Sequence, residues 1–372
     1  MKRILALTAM LCMVYTCALA AAPGKITGPE GGIEYATLPY TNNKAVCISQ
    51  PGEYTIEDWT VEDEYEFIWL ANSLTGSVKL TLKNVNLQSK MGQALIWNTE
   101  GSITGNRSLT LIFENSQIHA TNGTGVMITA LDDSDCTLTI TGEKPTIIGG
   151  HQGIRVAEPY SPSGEHKGRT LIDVAADDAV ITGEGMYGIH VSGKEREACE
   201  LRITGEGVKI SSNQHAIYAE HYGGSVFVSV TGEGAQVTGG LHGVYMDSND
   251  YADLTLGTDV TLTGEQAVEL FNGNGRVLLD GNTWPGICAE ISENQQGDQP
   301  EVYGPYGALT ALDFAGDVQG KKYLHTFVTE MPPEVQTSQL PKTGDTQDLS
   351  LYAGMLTLAA VGMLLLRKRK EA

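Results

Sequence analysis

Apolar and polar residues alternate in short runs along most of this chain, and the runs recur. Leu138-Thr139-Ile140-Thr141-Gly142-Glu143 returns as Leu201-Arg202-Ile203-Thr204-Gly205-Glu206 and again as Val228-Ser229-Val230-Thr231-Gly232-Glu233. Alternation at period 2 predicts strands rather than helices. Looser copies begin at Leu80, Leu111, Ile172, Leu254 and Val277, so successive starts lie 31, 27, 34, 29, 27, 26 and 23 residues apart. A second run follows in each unit: Gly153-Ile154-Arg155-Val156 aligns with Gly188-Ile189-His190-Val191, Ala216-Ile217-Tyr218-Ala219 and Gly243-Val244-Tyr245-Met246. Units of this length, with two or three short strands each, predict a solenoid: one coil cannot bury its apolar side alone, but stacked coils share a core.

The turn after the first strand supports this alignment. Its second position holds Asn84, Asn115, Gly142, Gly205, Gly232 and Gly281, residues that tolerate left-handed backbone. Ala176 and Thr258 break the series, so their turns are expected to differ. The Pro- and Ser-containing stretch from Glu158 to Arg169 reads as a loop on one side. Immunoglobulin-like tandem domains would need about 100 residues each, which the short period disfavours, and no pilin motif with a polymerising lysine is present. The pattern over roughly residues 50–295 resembles the right-handed parallel β-helix of pectate-lyase-like proteins. The resemblance implies an all-β, single-stranded parallel β-helix, and the handedness comes from it alone. The expected layout is an N-terminal cap at residues 21–50, the β-helix at 51–295, a C-terminal cap at 296–330 and a linker at 331–339. That linker is short and holds Pro332 and Pro333, which would keep the body near its point of attachment.

The two ends follow other rules. Lys2 and Arg3 precede an apolar run from Ile4 to Val14 and then Ala18-Leu19-Ala20, the layout of a secretory signal peptide over residues 1–20. As a signal helix it is too short to span a bilayer comfortably. Near the other end stand Leu340, Pro341, Lys342, Thr343 and Gly344, a polar spacer, an apolar stretch at residues 349–366 and the basic run Arg367-Lys368-Arg369-Lys370. This resembles the LPXTG sorting signal of Gram-positive surface proteins. The resemblance implies that residues 349–366 form a transmembrane helix in the precursor, held by a cytoplasmic basic tail. It also implies that a sortase cysteine attacks the Thr343 carbonyl, releases Gly344 onward and passes Thr343 to an amine of a peptidoglycan precursor. Leu340 and Pro341 would supply recognition, Pro341 by fixing an extended kink. The mature chain would then be extracellular and fixed to the cell wall, with membrane contact only in the precursor.

Composition narrows the partners. Lys+Arg number 24 against Asp+Glu 45, and the body between the two termini holds 18 positive and 42 negative charges, a net of −24. Such a surface repels nucleic acid and anionic lipid but accepts cationic partners, Ca²⁺ or neutral glycans. Abundant Gly, 44 residues, with aromatics at 7%, suits a turn-dense β protein. Outside the signal segment, which holds Cys12 and Cys17, four cysteines remain: Cys47, Cys136, Cys199 and Cys288. They are far apart and without C-x-x-C spacing, so they read as buried thiols or one unassignable disulfide.

Equivalent positions of stacked coils lie about 4.8 Å apart, so columns carry the candidate chemistry. One runs Glu143, Asp177, Glu206, Glu233 and Asp259, after Val85 and Ser116. Like charges at that spacing either splay into water or share Ca²⁺. Loop acids give two further Ca²⁺ candidates: Asp132, Asp133 and Asp135, and Asp247, Asn249, Asp250 and Asp253. Neither follows a known calcium loop, and Asx residues favour turns for local reasons. A second column runs Ile96, Met127, Arg155, His190, Tyr218, Tyr245 and Glu269, and by alternation points outward. Arg155, His190, Tyr218 and Tyr245 are its candidate ligand-binding residues, with rings placed to stack on sugar faces. The plain alternative is a ladder that only covers the sheet. His215 and His242 share a third column with Gln152 and Gln266 and read as stacked core polar residues.

Catalysis is not expected. Pectate lyases need a calcium cluster with a basic residue, and related hydrolases need paired carboxylates at a cleft. Asp177-Asp178 is the lone adjacent acid pair at a strand end, without accompanying His and basic-residue motifs. The expected role is a wall-displayed β-helix that binds carbohydrate or another surface ligand. A β-helical polysaccharide lyase or hydrolase, and a structural wall component, are the alternatives.

Overall fold

Three columns of apolar side chains run through the body and enclose its core. Leu138, Ile172, Leu201, Val228, Leu254 and Val277 are successive parallel partners and are all buried. So are Ile118, Ile147, Ile181, Ile210, Val237 and Leu262 on the second strand of each coil. Val126, Ile154, Ile189, Ile217, Val244 and Val268 do the same on the third. Each such side chain contributes about 1.5–3 kcal/mol on leaving water, and one continuous cluster contains all three columns. The first two strands of every coil belong to a bent, 20-stranded sheet, and the third belongs to a 10-stranded sheet. The chain is thus the all-β, parallel solenoid that its periodicity predicts.

The computed structural model describes residues 22–38, 43–98, 105–131, 134–157, 168–193, 198–272, 274–281 and 286–328. The chain divides into two compact units, residues 1–329 and 330–372, and every described residue belongs to the first. The signal segment at 1–20, the linker at 331–339, the motif from Leu340 to Gly344, the apolar stretch at 349–366, and Asp132 and Asp133 lie outside the described residues. So does most of the loop from Glu158 to Arg169. No helix among the described residues is long and apolar enough to cross a membrane.

Parallel pairing begins at strand Lys44–Ile48 and ends at strand Asn274–Leu279. This is earlier at both ends than the expected 51–295. Beyond those limits the strands turn antiparallel. Ile33–Thr37 pairs with Lys44–Ile48 at one end. At the other, Tyr323–Val328 lies between Thr261–Thr263 and Ile287–Ser292, antiparallel to both. These strands cover the open edges that a solenoid otherwise presents to other chains. The Lys321-Lys322-Tyr323 segment therefore opens a capping strand. Cys47, Cys136, Cys199 and Cys288 are buried thiols.

One correction concerns register. Leu80 pairs with Leu111, and Leu111 pairs with Ile140 rather than Leu138, whose partner is Leu109. The first two copies are therefore offset by two residues from the rest. A shift of two keeps every side chain on its own face, so alternation alone could not detect it. With the offset restored, the left-handed corner runs through Asp58, Asn84, Asn115, Lys144, Asp178, Gly207, Gly234 and Asp259, with φ between 45° and 73°. The apparent breaks at Ala176 and Thr258 disappear. Gly205 and Gly232 have a different cause. A Cβ at Gly205 would meet Ala176 O at 2.1 Å, and one at Gly232 would meet Gly205 O at 1.8 Å.

A buried arginine stitches the early coils. Arg107 is 1% exposed and donates to the carbonyl oxygens of Asn72, Leu74, Trp97, Asn98 and Thr129 at 2.7–3.3 Å. Burial pushes its guanidinium down to about 10, still well above neutral pH. The five-donor fork of an arginine suits carbonyls that converge from three successive coils.

Candidate binding face

The outer face of the 10-stranded sheet carries the densest group of functional side chains. Ile96, Met127, Arg155, His190, Tyr218, Tyr245 and Glu269 are successive register partners, as the sequence alignment has them. Their inward neighbours Ile154, Ile189, Ile217 and Val244 are fully buried, so this column points away from the core. A neighbouring column runs Thr124, Gln152, Tyr187, His215, His242 and Gln266. It does not sit in the core. Tyr187 stacks on Tyr218 at 4.5 Å, and His215 meets Tyr218 and Tyr245 edge-on at 5.4 and 5.1 Å. A Gly or Ala follows each of its six members, and the alternation breaks there, which leaves this column and the next on one face. A third column runs Ser192, Glu220, Asp247 and Phe271.

These columns interlock. Tyr187, Tyr218, Tyr245 and Phe271 form a continuous stack, with centroids 4.5, 5.1 and 6.2 Å apart. Coil spacing alone sets rings at such separations, and the stacking adds about 0.5–1.5 kcal/mol per pair. The arrangement has a cost for the expected sugar platform. Both faces of Tyr218 are covered by Tyr187 and Tyr245, so a pyranose cannot lie flat on it. Ring edges, phenolic hydroxyls and the outer side of Phe271 remain, the last with the residue 47% exposed.

Glu220 organises the polar side. It accepts from Tyr218 and Tyr222, each at 3.2 Å, and lies 3.3 Å from His190 Nε2. Burial opposes its ionisation, yet hydrogen bonds from His190, Ser192 and Tyr218 hold its carboxyl down at about 2. Burial keeps His190 neutral despite Glu220. Its Nε2–H therefore donates to the carboxylate, which leaves Nδ1 as a bare acceptor. His215 and His242 share a hydrogen bond between Nδ1 atoms at 2.9 Å. Burial pushes His215 down to about 4 and lowers His242 as well. A neutral pair, one donating and one accepting, fits that bond. Burial also raises Tyr245 to about 12, so its hydroxyl stays protonated.

Sequence reasoning missed Tyr187 and Glu220. Tyr187 lies three residues before His190, as His215 lies three before Tyr218, and that repeated spacing was the available signal. Glu220 lies two residues after Tyr218, on the same side of the strand.

The left-handed corner offers a second candidate region. A groove of about 840 Å³ lies along it, lined in part by Asn86, Asn115, Gln117, Lys144, Asp177 and Asp178. Its polar groups largely satisfy one another. Asn115 donates to Asn84 and Asn84 to Asp58, both at 3.0 Å, and Gln117 donates to Asn86 at 2.8 Å. Asp178 pairs with Lys144 at 3.1 Å, and Asp177 accepts the Glu206 N–H at 2.9 Å. The acids Glu143, Asp177, Glu206 and Glu233 are exposed, as a ladder splayed into water, and Asp259 is exposed too but stands one position on, opposite Gly234 in the corner column.

The structure does not bring the loop acids together. Asp247 lies on the 10-stranded face and accepts from Asn272, while Asp253 lies on the bent sheet in a bidentate pair with Arg276. Asp250 accepts from Ser225, Asn249 donates to Tyr222 O, and Asp135 accepts the Arg169 N–H. Among the described residues no group of three or more His, Cys, Asp or Glu could hold a metal ion.

Residues 332–372 match the LPXTG cell wall anchor motif. No curated protein and no solved structure matches the chain significantly. The motif marks a secreted protein that sortase attaches covalently to the surface of the Gram-positive cell wall.

Proposed function

We propose that this sortase substrate is a non-catalytic display protein whose 10-stranded sheet binds carbohydrate along its outer face. In its finer steps the route runs through a signal peptide at residues 1–20, a membrane-spanning stop at 349–366 and transfer of Thr343 to the wall. The observation that carries the binding reading is the ring stack Tyr187–Tyr218–Tyr245–Phe271, flanked by Glu220, Asp247 and the His215–His242 pair. It offers a row of phenolic, imidazole and carboxylate groups beside apolar ring edges. That mixture suits sugars, which present hydroxyls and C–H patches together. Sugar would meet ring edges and hydroxyls rather than ring faces. The negative body favours a neutral ligand over a polyanion.

The test is a glycan array probed with the full chain, watched for binding and for product release. Binding without turnover, lost on changing Tyr218 and Tyr245 together to Ala, is the expected result. Undiminished binding by that double variant would remove the face from consideration. Product release would return attention to Asp177 and Asp178 in the corner groove, as a hydrolase or lyase. Silence towards every glycan would favour a structural or protein-binding role.

A further inference from the structure

Three buried polar atoms on this face have no hydrogen-bond partner among the described residues: Gln152 Oε1, Arg155 Nε and His190 Nδ1. They occupy neighbouring positions. Arg155 is the register partner of His190, and Gln152 lies on the same strand as Arg155. His190 is 7% exposed, and its Nε2 is already committed to Glu220. An unpaired buried polar atom costs about 1–3 kcal/mol, so three together call for an explanation. Along the amide ladder of the corner, by contrast, polar groups satisfy one another side chain to side chain.

The unmatched set is one N–H donor and two acceptors. A ligand group that fits it must offer one acceptor and at least one donor, close together. Glu220 stays ionised beside His190, so a carboxylate or phosphate ligand would be repelled. The coil before this trio is apolar: Met127 partners Arg155, and Ile96 and Trp69 continue that column toward an outer apolar cluster. A hydroxyl would meet the hydrogen bonds but leave the Met127 side bare. An acetamido group has a carbonyl, an N–H and a methyl within one small planar unit.

We propose that this end of the face binds the 2-acetamido group of an N-acetylated hexosamine, an inference that rests on the carbohydrate-binding reading above. Arg155 Nε–H donates to the amide oxygen, Gln152 Oε1 or His190 Nδ1 accepts the amide N–H, and the methyl packs on Met127. Arg155 and Gln152 are half-exposed, so side-chain rotation opens their buried atoms to the ligand. The rest of the sugar chain extends over the tyrosine edges of the next coils.

The full chain is immobilised on a biosensor and exposed to three probes. These are the β-1,4-linked tetramer of N-acetylglucosamine, cellotetraose, which has a hydroxyl in place of each acetamido group, and tetra-alanine amide. The acetylated tetramer should bind at least about tenfold tighter than cellotetraose, since the unmatched site groups reject an analogue that cannot pair with them. Arg155→Met should abolish that preference without moving the melting temperature. Gln152→Leu, at a half-exposed position, should weaken it if Arg155→Met proves unstable. Equal binding of both tetramers would overturn the acetamido assignment and leave carbohydrate binding standing. Failure of both tetramers while other glycans bind would do the same. Failure of every sugar would overturn both readings. Binding of tetra-alanine amide as tightly as the acetylated sugar would redirect the site to peptide amides and overturn the proposal.

Discussion

Along the left-handed corner, polar side chains find partners one coil away: Asn115 on Asn84, Asn84 on Asp58, Lys144 on Asp178. On the outer face of the 10-stranded sheet the same stacking brings Gln152, Arg155 and His190 together and leaves an atom of each unpaired. Both regions are built from columns at coil spacing. They differ in the order of residue types along each column. An amide above an amide offers a donor to an acceptor at every step, whereas Met127, Arg155, His190 and Tyr218 change character at each coil. A column whose neighbours are complementary can close on itself, and one whose neighbours do not match leaves valences for something else.

The comparison can be broken by stability measurements. The largest effect is expected at Ser116, beside the corner. Its Oγ accepts the Val85 N–H and donates to a carbonyl, Leu82 O or Glu114 O, each at 2.9 Å. Ser116→Ala should cost about 1–3 kcal/mol by orphaning that buried N–H, read as a lower denaturation midpoint. Arg155→Met should fall within about 0.5 kcal/mol of the parent. Should Arg155→Met cost as much as Ser116→Ala, the unpaired atoms of the face belong to the fold, and the contrast fails.

Next in size is backbone strain. Asn115 has φ of 49°. Asn115→Val should lose about 1–2 kcal/mol from the left-handed strain, while Asn115→Gly should lose much less. Equal losses would show that the amide ladder, not the backbone, holds the corner.

Acid should separate the regions further. Burial holds His215 at about 4 and lowers His242, so as pH falls the unfolded chain takes up protons first. That contribution is complete above about 6.5, the ordinary histidine value, and is lost as pH falls through about 4. Glu220 acts lower, from its ordinary 4.5 down through about 2, because its folded carboxyl resists protonation. The His215 step is on the order of 1 kcal/mol after solvent screening. Melting curves from pH 7 to 4 should flatten in His215→Gln. An unaltered slope in His215→Gln would mean that the pair titrates alike in both states.

The smallest expected effect is that of a chelator. Asp247, Asp250 and Asp253 already accept hydrogen bonds from Asn272, Ser225 and Arg276. Removing Ca²⁺ should shift melting by less than the roughly 2–4 °C that corresponds to 1 kcal/mol in a chain of this size. A larger drop would restore calcium to those loops.

Much of this was legible in the sequence. From Leu138 onward, the strand starts fall in the observed register, because Leu, Ile and Val at period 2 leave few alternatives. The offset at Leu80 and Leu111 was not legible, since a two-residue slip preserves every face. The outward column through Arg155, His190, Tyr218 and Tyr245 followed from alternation. The position of His215 and His242 did not, because the Gly or Ala beside them turns the strand and breaks the alternation. Ring stacking was likewise out of reach: the sequence says that Tyr218 and Tyr245 are neighbours, but not that they turn their faces to each other.

The capping strand Tyr323–Val328 is the last described element before the anchor motif. Along the chain, Val328 is the described residue nearest that motif. That strand is gripped on both flanks, by Thr261–Thr263 and by Ile287–Ser292. Peeling from Val328 first opens the pairing of Val328 and Phe327 with Ile287 and Cys288, and from Thr326 inward both flanks must give way together. The residues that seal the solenoid's edge thus also clamp the chain on the side of the anchor motif, and a pull on that side would load the cap before the coils that carry the ring stack.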